Sequence, residues 1–191
     1  MTAFEVIFAL VTVLTSLAIA HLLGGLAALL REAGRVRFSA LHGLWLWTAF
    51  GFVIGNWAGF WEMRGVESWP AWAVLLIVLV LSIQYLFCAL LTPELPDEGE
   101  LDLRGFHARS HSGYLLALIA LLVASQAVNF AFGGADLYAH WWRDSLLTFA
   151  ILGVSVLALA FRARVVQTGA ALLCAGAATY YMVITCNVVA H

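Results

Sequence analysis

Six apolar segments, separated by five short polar breaks, restrict the fold of this chain more than any other feature. A helix needs about 20 apolar residues to cross the hydrocarbon core of a bilayer, because each residue adds about 1.5 Å. With 64% hydrophobic and 10% charged residues, the chain is far more apolar than a soluble domain. The sequence predicts an all-α integral membrane protein, a single-domain bundle of six transmembrane helices near residues 3–30, 39–62, 70–92, 113–134, 143–161 and 165–189.

The nine basic residues, all of them arginine, indicate how the six helices are oriented. Only Arg64 and Arg143 fall in the breaks that would share one side of the membrane, and the other seven fall on the opposite side. Arginine favours the cytoplasmic side, so we expect both termini outside, in a bacterial inner membrane. Most tryptophans lie near the predicted outer ends, where such rings anchor at the headgroups. The first segment has no basic region before it, which favours an uncleaved span over a signal peptide.

The longest polar break, residues 93–112, begins with acidic residues and ends with a less acidic stretch that carries His107 and His111. We expect a cytoplasmic acidic turn followed by a short interfacial helix. Two imidazoles four residues apart share one helical face and can hold a metal. The spacing identifies no third ligand, so a solvated surface explains the same residues.

Small residues indicate where the helices approach each other, because close contact holds membrane helices together. Gly51, Gly55 and Gly59 form a tandem GxxxG ridge, and Gly24 and Gly25 adjoin the face of His21 in the first segment. The ridge can receive a helix of the same chain or a second copy in a homo-oligomer. An inward-facing seam is predicted in the last segment at Gln167, Ala171, Cys174, Ala178, Tyr181 and Thr185. The third segment has no polar side chain from Ala73 to Leu81, so we expect that half to face lipid.

A partial internal match suggests a weak three-plus-three inverted repeat. Ser16, Ala18, Gly24 and Gly25 correspond to Ser125, Ala127, Gly133 and Gly134. The first and fourth helices would run in opposite directions, as in inverted-repeat transporters. The same offset fails in the next helix, and a chain rich in Ala, Leu and Gly produces such matches by chance.

Polar and ionisable side chains within the spans are the candidate functional residues, because their burial in lipid is costly. Counting from the arginine-rich ends places His21, His42, Gln84 and Tyr85 in the inner half and Glu5 and Asn56 in the outer half. Histidines and an acid can bind and release protons along a hydrated path. We therefore expect a channel or transporter for protons or a small solute, with a polar centre formed by Glu5, His21, His42, Asn56, Gln84 and Tyr85.

Three other functions stay open on the sequence alone. His21 and His42 could be the axial ligands of a haem b, since imidazoles from facing helices hold haem in bundles. The chain could instead be a non-catalytic scaffold or accessory subunit whose polar residues only join helices. An enzyme acting on a lipid is less favoured, because no nucleophile elbow, metal-diphosphate motif or phosphate loop is present. The bilayer is the expected partner, and the net charge of −2 gives no basic surface for nucleic acid.

Overall fold

The computed structural model describes residues 2–132, 142 and 145–189, and it is about 85% helical. Short 3-10 turns cover Ala33–Arg35 and Phe60–Gly65, and two-residue strands form β1 (Val36–Arg37) and β2 (Leu101–Asp102). The described ranges contain six α-helices: α1 (Ala3–Arg31), α2 (Ala40–Gly59), α3 (Ala71–Leu91), α4 (Leu103–Phe132), α5 (Leu146–Ala160) and α6 (Arg164–Val189).

Four of these helices are long and apolar enough to cross a membrane, namely α1, α3, α4 and Arg164–Asn187 of α6. Helix α5 is apolar but has only 15 residues, which at about 1.5 Å each fall short of a hydrocarbon core of about 30 Å. Helix α2 has 20 residues but is not among the four. The fold is therefore compatible with a multi-pass membrane protein, and the crossing of α2 and α5 remains a prediction, as does the orientation.

The helices pack as two layers of three, with α1, α2 and α6 in one layer and α3, α4 and α5 in the other. Helix α2 is central, since it contacts α1 and α6 beside it and α3 and α4 in the other layer. In an inverted repeat, the contact between α1 and α3 would have a counterpart of similar extent between α4 and α6. Over the described residues α1 packs well against α3, whereas α4 and α6 make no comparable contact. The packing therefore does not support the weak repeat in the sequence.

The glycine ridge of α2 meets the predicted seam of α6 in the same chain. A Cβ atom added at Gly51 would lie 3.0 Å from the Cβ of Ala178 and 3.2 Å from its carbonyl oxygen. A Cβ at Gly55 would lie 2.5 Å from Cδ1 of Tyr181, and one at Gly59 would lie 3.1 Å from the hydroxyl of that tyrosine. Glycine thus lets the two helices approach almost backbone to backbone. Of the two partners that the sequence left open for the ridge, a helix of the same chain is the one that occupies it.

The two glycines predicted to pack on α1 behave differently. A side chain at Gly25 would collide with the side chain of Thr92, just after α3, whereas a Cβ at Gly24 would meet nothing within 4 Å. The buried face of α1 includes Ala18 and Leu22, which are three residues before and one residue after His21. Of these two glycines, only Gly25 therefore serves close packing against a described neighbour.

In α3, the apolar half from Ala73 to Leu81 is partly buried and partly exposed. Ala73, Ile77 and Leu81 are buried, while Leu75 and Leu79 are exposed. One stripe of this half packs into the bundle and the other faces outward, which corrects the expectation that the whole half faces lipid. With no polar side chain to mark the inward stripe, hydrophobicity alone could not separate the two.

The polar connections come together at one end of the bundle. Strands β1 and β2 pair in parallel, with Val36 opposite Leu101, and the Asp102 carboxylate accepts hydrogen bonds from the first turn of α4. The expected short interfacial helix is therefore the first part of one continuous helix, α4. At the α5–α6 turn, the Gln167 amide donates to the carbonyls of Ala158 and Phe161, which closes the tight hairpin.

Aromatic rings fill the other end of the bundle. Phe4 and Phe8 of α1 lie against Trp61 at centroid distances of 5.8 and 5.5 Å, and Trp69 lies 4.9 Å from Phe132. We call this the aromatic end and the opposite one the arginine end. The separation of the two matches the distribution of arginine and tryptophan in the sequence.

Candidate functional site: a cavity at the arginine end

A cavity of about 490 Å³ opens at the arginine end between the first turns of α2, α4 and α6. Each helix contributes in the same order along its length. Ala40, Arg104 and Arg164 stand in the first turns, and Leu44, Ala108 and Thr168 follow one turn deeper. The remaining lining residues are Ser39, Leu41, His107, His111, Arg162 and Gln167. The cavity is thus charged at its mouth and mostly apolar behind it.

Arg104, Arg162 and Arg164 line the cavity, and we call them the cavity arginines. Unlike Arg35 and Arg37, they have no partner for their guanidinium groups among the described residues. The guanidinium of Arg35 donates to the carbonyls of Pro96, Asp97 and Gly99, and Arg37 pairs with Glu100 at 2.7 Å. No hydrogen bond or ion pair joins the guanidinium group of a cavity arginine to any other described residue, and no acid is among the lining residues. The cavity therefore has an uncompensated positive charge.

Helix α2 adds to this positive field at the mouth. Ser39 is its N-cap but makes no side-chain capping hydrogen bond. The first backbone N–H groups of a helix have no partner within it and carry partial positive charge. Together with the cavity arginines, this end of α2 favours an anionic ligand.

A chain of three buried side chains, the histidine chain, leads from the cavity wall into the bundle. His42 Nδ1 lies 3.0 Å from His107 Nε2, and His107 Nδ1 lies 3.2 Å from the hydroxyl of Tyr114. His42 and His107 are each 3% exposed, and Tyr114 is fully buried. Either tautomer of the two neutral imidazoles satisfies both hydrogen bonds, so the chain can reverse its direction. Such a reversal is what proton transfer between side chains requires.

Two buried histidine nitrogens have no partner among the described residues. They are Nε2 of His42, at the end of the histidine chain, and Nδ1 of His111. His111 is 5% exposed and lines the cavity. Leaving a buried polar atom unpaired costs free energy, so a polar ligand in the cavity would relieve that cost if the His111 ring turned Nδ1 toward it.

A second polar cluster joins α2, α3 and α6; we call Asn56, Gln84 and Tyr181 the amide cluster. Asn56 Nδ2 donates to Gln84 Oε1 at 2.5 Å, and the Tyr181 hydroxyl donates to Asn56 Oδ1 at 3.2 Å. The depth count from sequence placed Asn56 and Gln84 in different halves. The hydrogen bond brings their side chains together, with Asn56 near the end of α2 and Gln84 in the second half of α3.

The six residues of the predicted polar centre occupy four places. Asn56 and Gln84 share the amide cluster, and His42 belongs to the histidine chain. His21 lies with its ring 5.5 Å from that of Tyr85, which is 40% exposed. Glu5 forms a capping box with Thr2 at the start of α1. The contacts bring two pairs of these residues together but do not gather all six.

Haem and metal binding can be compared with this geometry. A bis-histidine haem needs His21 and His42 on two sides of one space, but the rings contact different residues, Tyr85 for one and His107 with Phe106 for the other. Neither histidine lines the cavity, so the arrangement does not fit an axial pair. His107 and His111 both line it, but the described residues contain no group of three His, Cys, Asp or Glu side chains placed to hold a metal.

Comparison with known proteins gave no match: no family model fits the chain, and no curated protein or solved structure is similar to it. The functional argument therefore depends on the cavity and its neighbours. Sequence reasoning missed the site as a unit, although it had placed the cavity arginines on one side of the membrane. The partner of His42 was also missed, because His107 was interpreted as part of a short interfacial helix outside the bundle.

Proposed function

We propose that the protein is a small membrane transporter that receives an anionic solute in the cavity at the arginine end. The observation that carries the proposal is the set of cavity arginines, whose guanidinium groups have no partner among the described residues and no acid beside them in the lining. Guanidinium groups bind phosphate and carboxylate through charge-assisted, often bidentate hydrogen bonds. A phosphate or carboxylate is therefore the chemistry that this cavity favours.

The packing beyond the cavity supports transport rather than an open channel. Past the histidine chain, α2 buries Trp45, Ala49 and Val53 completely, and the amide cluster lies beyond them. A cavity that is open at one end and closed by packed side chains at the other corresponds to one state of an alternating-access cycle. In the second state, this packed layer would open toward the aromatic end.

The histidine chain supplies a means of coupling to protons. His107 lines the cavity and is hydrogen-bonded to His42 and Tyr114 behind it. Unperturbed imidazole titrates closer to neutral pH than any other side chain, and burial disfavours its charged form. An anion at the mouth would stabilise a protonated imidazole nearby, so that solute and proton can enter together.

Flux through proteoliposomes that contain the purified chain tests the proposal. The probes are radiolabelled inorganic phosphate and a fluorescent phosphatidic acid followed between leaflets. We expect saturable movement of at least one probe, and we expect Arg162→Gln/Arg164→Gln to reduce it about tenfold or more, since each substitution removes charged hydrogen bonds. Arg37→Gln is the matched control and should transport normally, because Arg37 is paired with Glu100 away from the lining. If neither probe moves faster than in protein-free vesicles, the protein is not this transporter.

A scaffold or accessory subunit is the second candidate, and the amide cluster favours it. Its hydrogen bonds join three helices, which is how polar residues hold a membrane bundle together. A scaffold needs no flux and no proton exchange. Anion binding that depends on the cavity arginines, in the absence of any flux, would therefore favour a binding scaffold over a transporter.

A further inference from the structure

We infer that the ligand of the cavity is a phosphate-bearing lipid, with its headgroup among the cavity arginines and its first acyl carbons against Leu41 and Leu44. This inference deepens the proposed function and rests on its anion site. It adds an apolar part to the ligand, and it makes the bilayer the source from which the ligand enters.

The distribution of charge along the three helices is the first argument. On α4, Arg104 at the mouth is followed one turn deeper by Ala108, and on α2 Ala40 is followed by Leu44. On α6, Arg164 is followed by the neutral Thr168. A small hydrated anion gains nothing from apolar walls, whereas an amphiphile places its charge at the mouth and its carbon chain behind.

The size and position of the cavity provide the second argument. Its volume of about 490 Å³ lies within the range of pockets that enclose drug-sized molecules, about 300–1,000 Å³. It opens at the first turns of α2, α4 and α6, where helices predicted to span the bilayer would meet the headgroup layer. Basic pockets between helices on the cytoplasmic side are typical headgroup sites.

A buried histidine of the lining is the candidate for a specific contact with the headgroup. His111 is 5% exposed, lines the cavity and has Nδ1 unpartnered among the described atoms. Because Nδ1 itself is inaccessible in this conformation, the ring must turn before a protonated Nδ1 can donate to a phosphate oxygen. A zwitterionic choline headgroup would instead place a quaternary ammonium near three arginines. The cavity is thus expected to select phosphatidic acid over phosphatidylcholine.

Binding of two matched probes to the purified chain in a maltoside micelle, titrated by native mass spectrometry, tests the inference separately from flux. The probes are dihexanoyl phosphatidic acid and glycerol 3-phosphate, which carry the same phosphate and differ only in acyl chains. We expect the lipid to bind about tenfold more tightly or better, because several CH₂ groups leave water. Dihexanoyl phosphatidylcholine is the control for charge.

The affinities of variants show which lining residues contact the headgroup and which contact the acyl chains. Leu44→Asn should weaken the binding of dihexanoyl phosphatidic acid without changing that of glycerol 3-phosphate. Arg162→Gln/Arg164→Gln should weaken the binding of both probes. Equal affinity of the two phosphate probes would overturn the lipid while leaving a small-anion transporter intact. Equal binding of phosphatidic acid and phosphatidylcholine would overturn the headgroup assignment. Lipid binding without flux would leave the inference standing and contradict the transporter.

Discussion

The two halves of α2 differ in how closely their neighbours approach. Toward the aromatic end, Gly51 and Gly55 meet α6 at distances that leave no room for a side chain. Toward the arginine end, a Cβ added at Gly43 would meet nothing within 4 Å, and Leu41 and Leu44 line an open cavity. One helix therefore combines a rigid contact with an open site. We expect substitutions at the close contact to lower stability, and substitutions at the cavity to affect the proposed ligand.

The largest expected effect is a loss of stability at the glycine ridge. Gly51→Leu places a side chain where Ala178 presents both its Cβ and its backbone carbonyl, so that α2 and α6 must separate. Overpacking of this kind costs about 1–3 kcal/mol. The matched control is Gly43→Leu on the same helix, which should cost much less because the added side chain meets open space. Free energies of unfolding from SDS titration would show the difference, and equal losses would contradict the division of α2 into two halves.

A smaller effect is expected in the amide cluster. Tyr181→Phe removes only the hydroxyl that donates to Asn56, and such interhelical hydrogen bonds contribute roughly 0.6 kcal/mol in membrane proteins. The adjacent Tyr180 is 60% exposed, and Tyr180→Phe should not change stability. The same SDS titration measures both variants. A Tyr181→Phe chain as stable as its control would show that the cluster does not hold the helices together.

How much of this arrangement the sequence could predict depends on the residue type. Glycine and small residues recur at helical spacing, so the contact faces of α2 and α6 were predicted, and Gly51, Ala178 and Tyr181 lie on them. Arginine marks membrane ends, so the shared location of Arg104 and Arg162 was predicted as well. Periodicity and the positive-inside pattern are local properties of a helix and its flanks, which is why they can be read from one sequence.

The polar contacts could not be predicted in the same way, because they depend on which helices are neighbours. His42 pairs with His107 across 65 residues, and Asn56 pairs with Gln84 across 28. Nothing in the spacing of a single helix specifies the relative rotation and height of two helices. Counting residues along each helix separated Asn56 from Gln84, because such a count does not include the shift of one helix along the other.

A third change is expected to leave stability almost unaltered while removing binding. Ala108→Leu adds bulk inside the cavity, whereas Gly51→Leu adds it at a tight contact. Ala108 is exposed and faces the cavity, so the free energy of unfolding should stay within about 0.5 kcal/mol of wild type. Affinity for dihexanoyl phosphatidic acid should fall, because the leucine occupies the space of the acyl carbons. Unchanged affinity in a folded variant would place the ligand elsewhere.

The smallest effect is expected at an arginine outside the cavity. Arg37→Gln breaks the ion pair between Arg37 and Glu100. The two side chains are 73% and 56% exposed, respectively. Exposed pairs contribute about 0–1 kcal/mol, because water and salt screen them and ordering two long side chains costs entropy. Arg37 and the cavity arginines lie at the same end of the bundle, but Arg37 is paired with an acid and does not line the cavity. The variant should therefore match wild type in unfolding and in lipid titration, whereas Arg162→Gln/Arg164→Gln should match it only in unfolding. If Arg37→Gln lowers the affinity for dihexanoyl phosphatidic acid as much as the double variant does, the lipid binds to the positive charge of the whole arginine end. That result would contradict binding in the cavity.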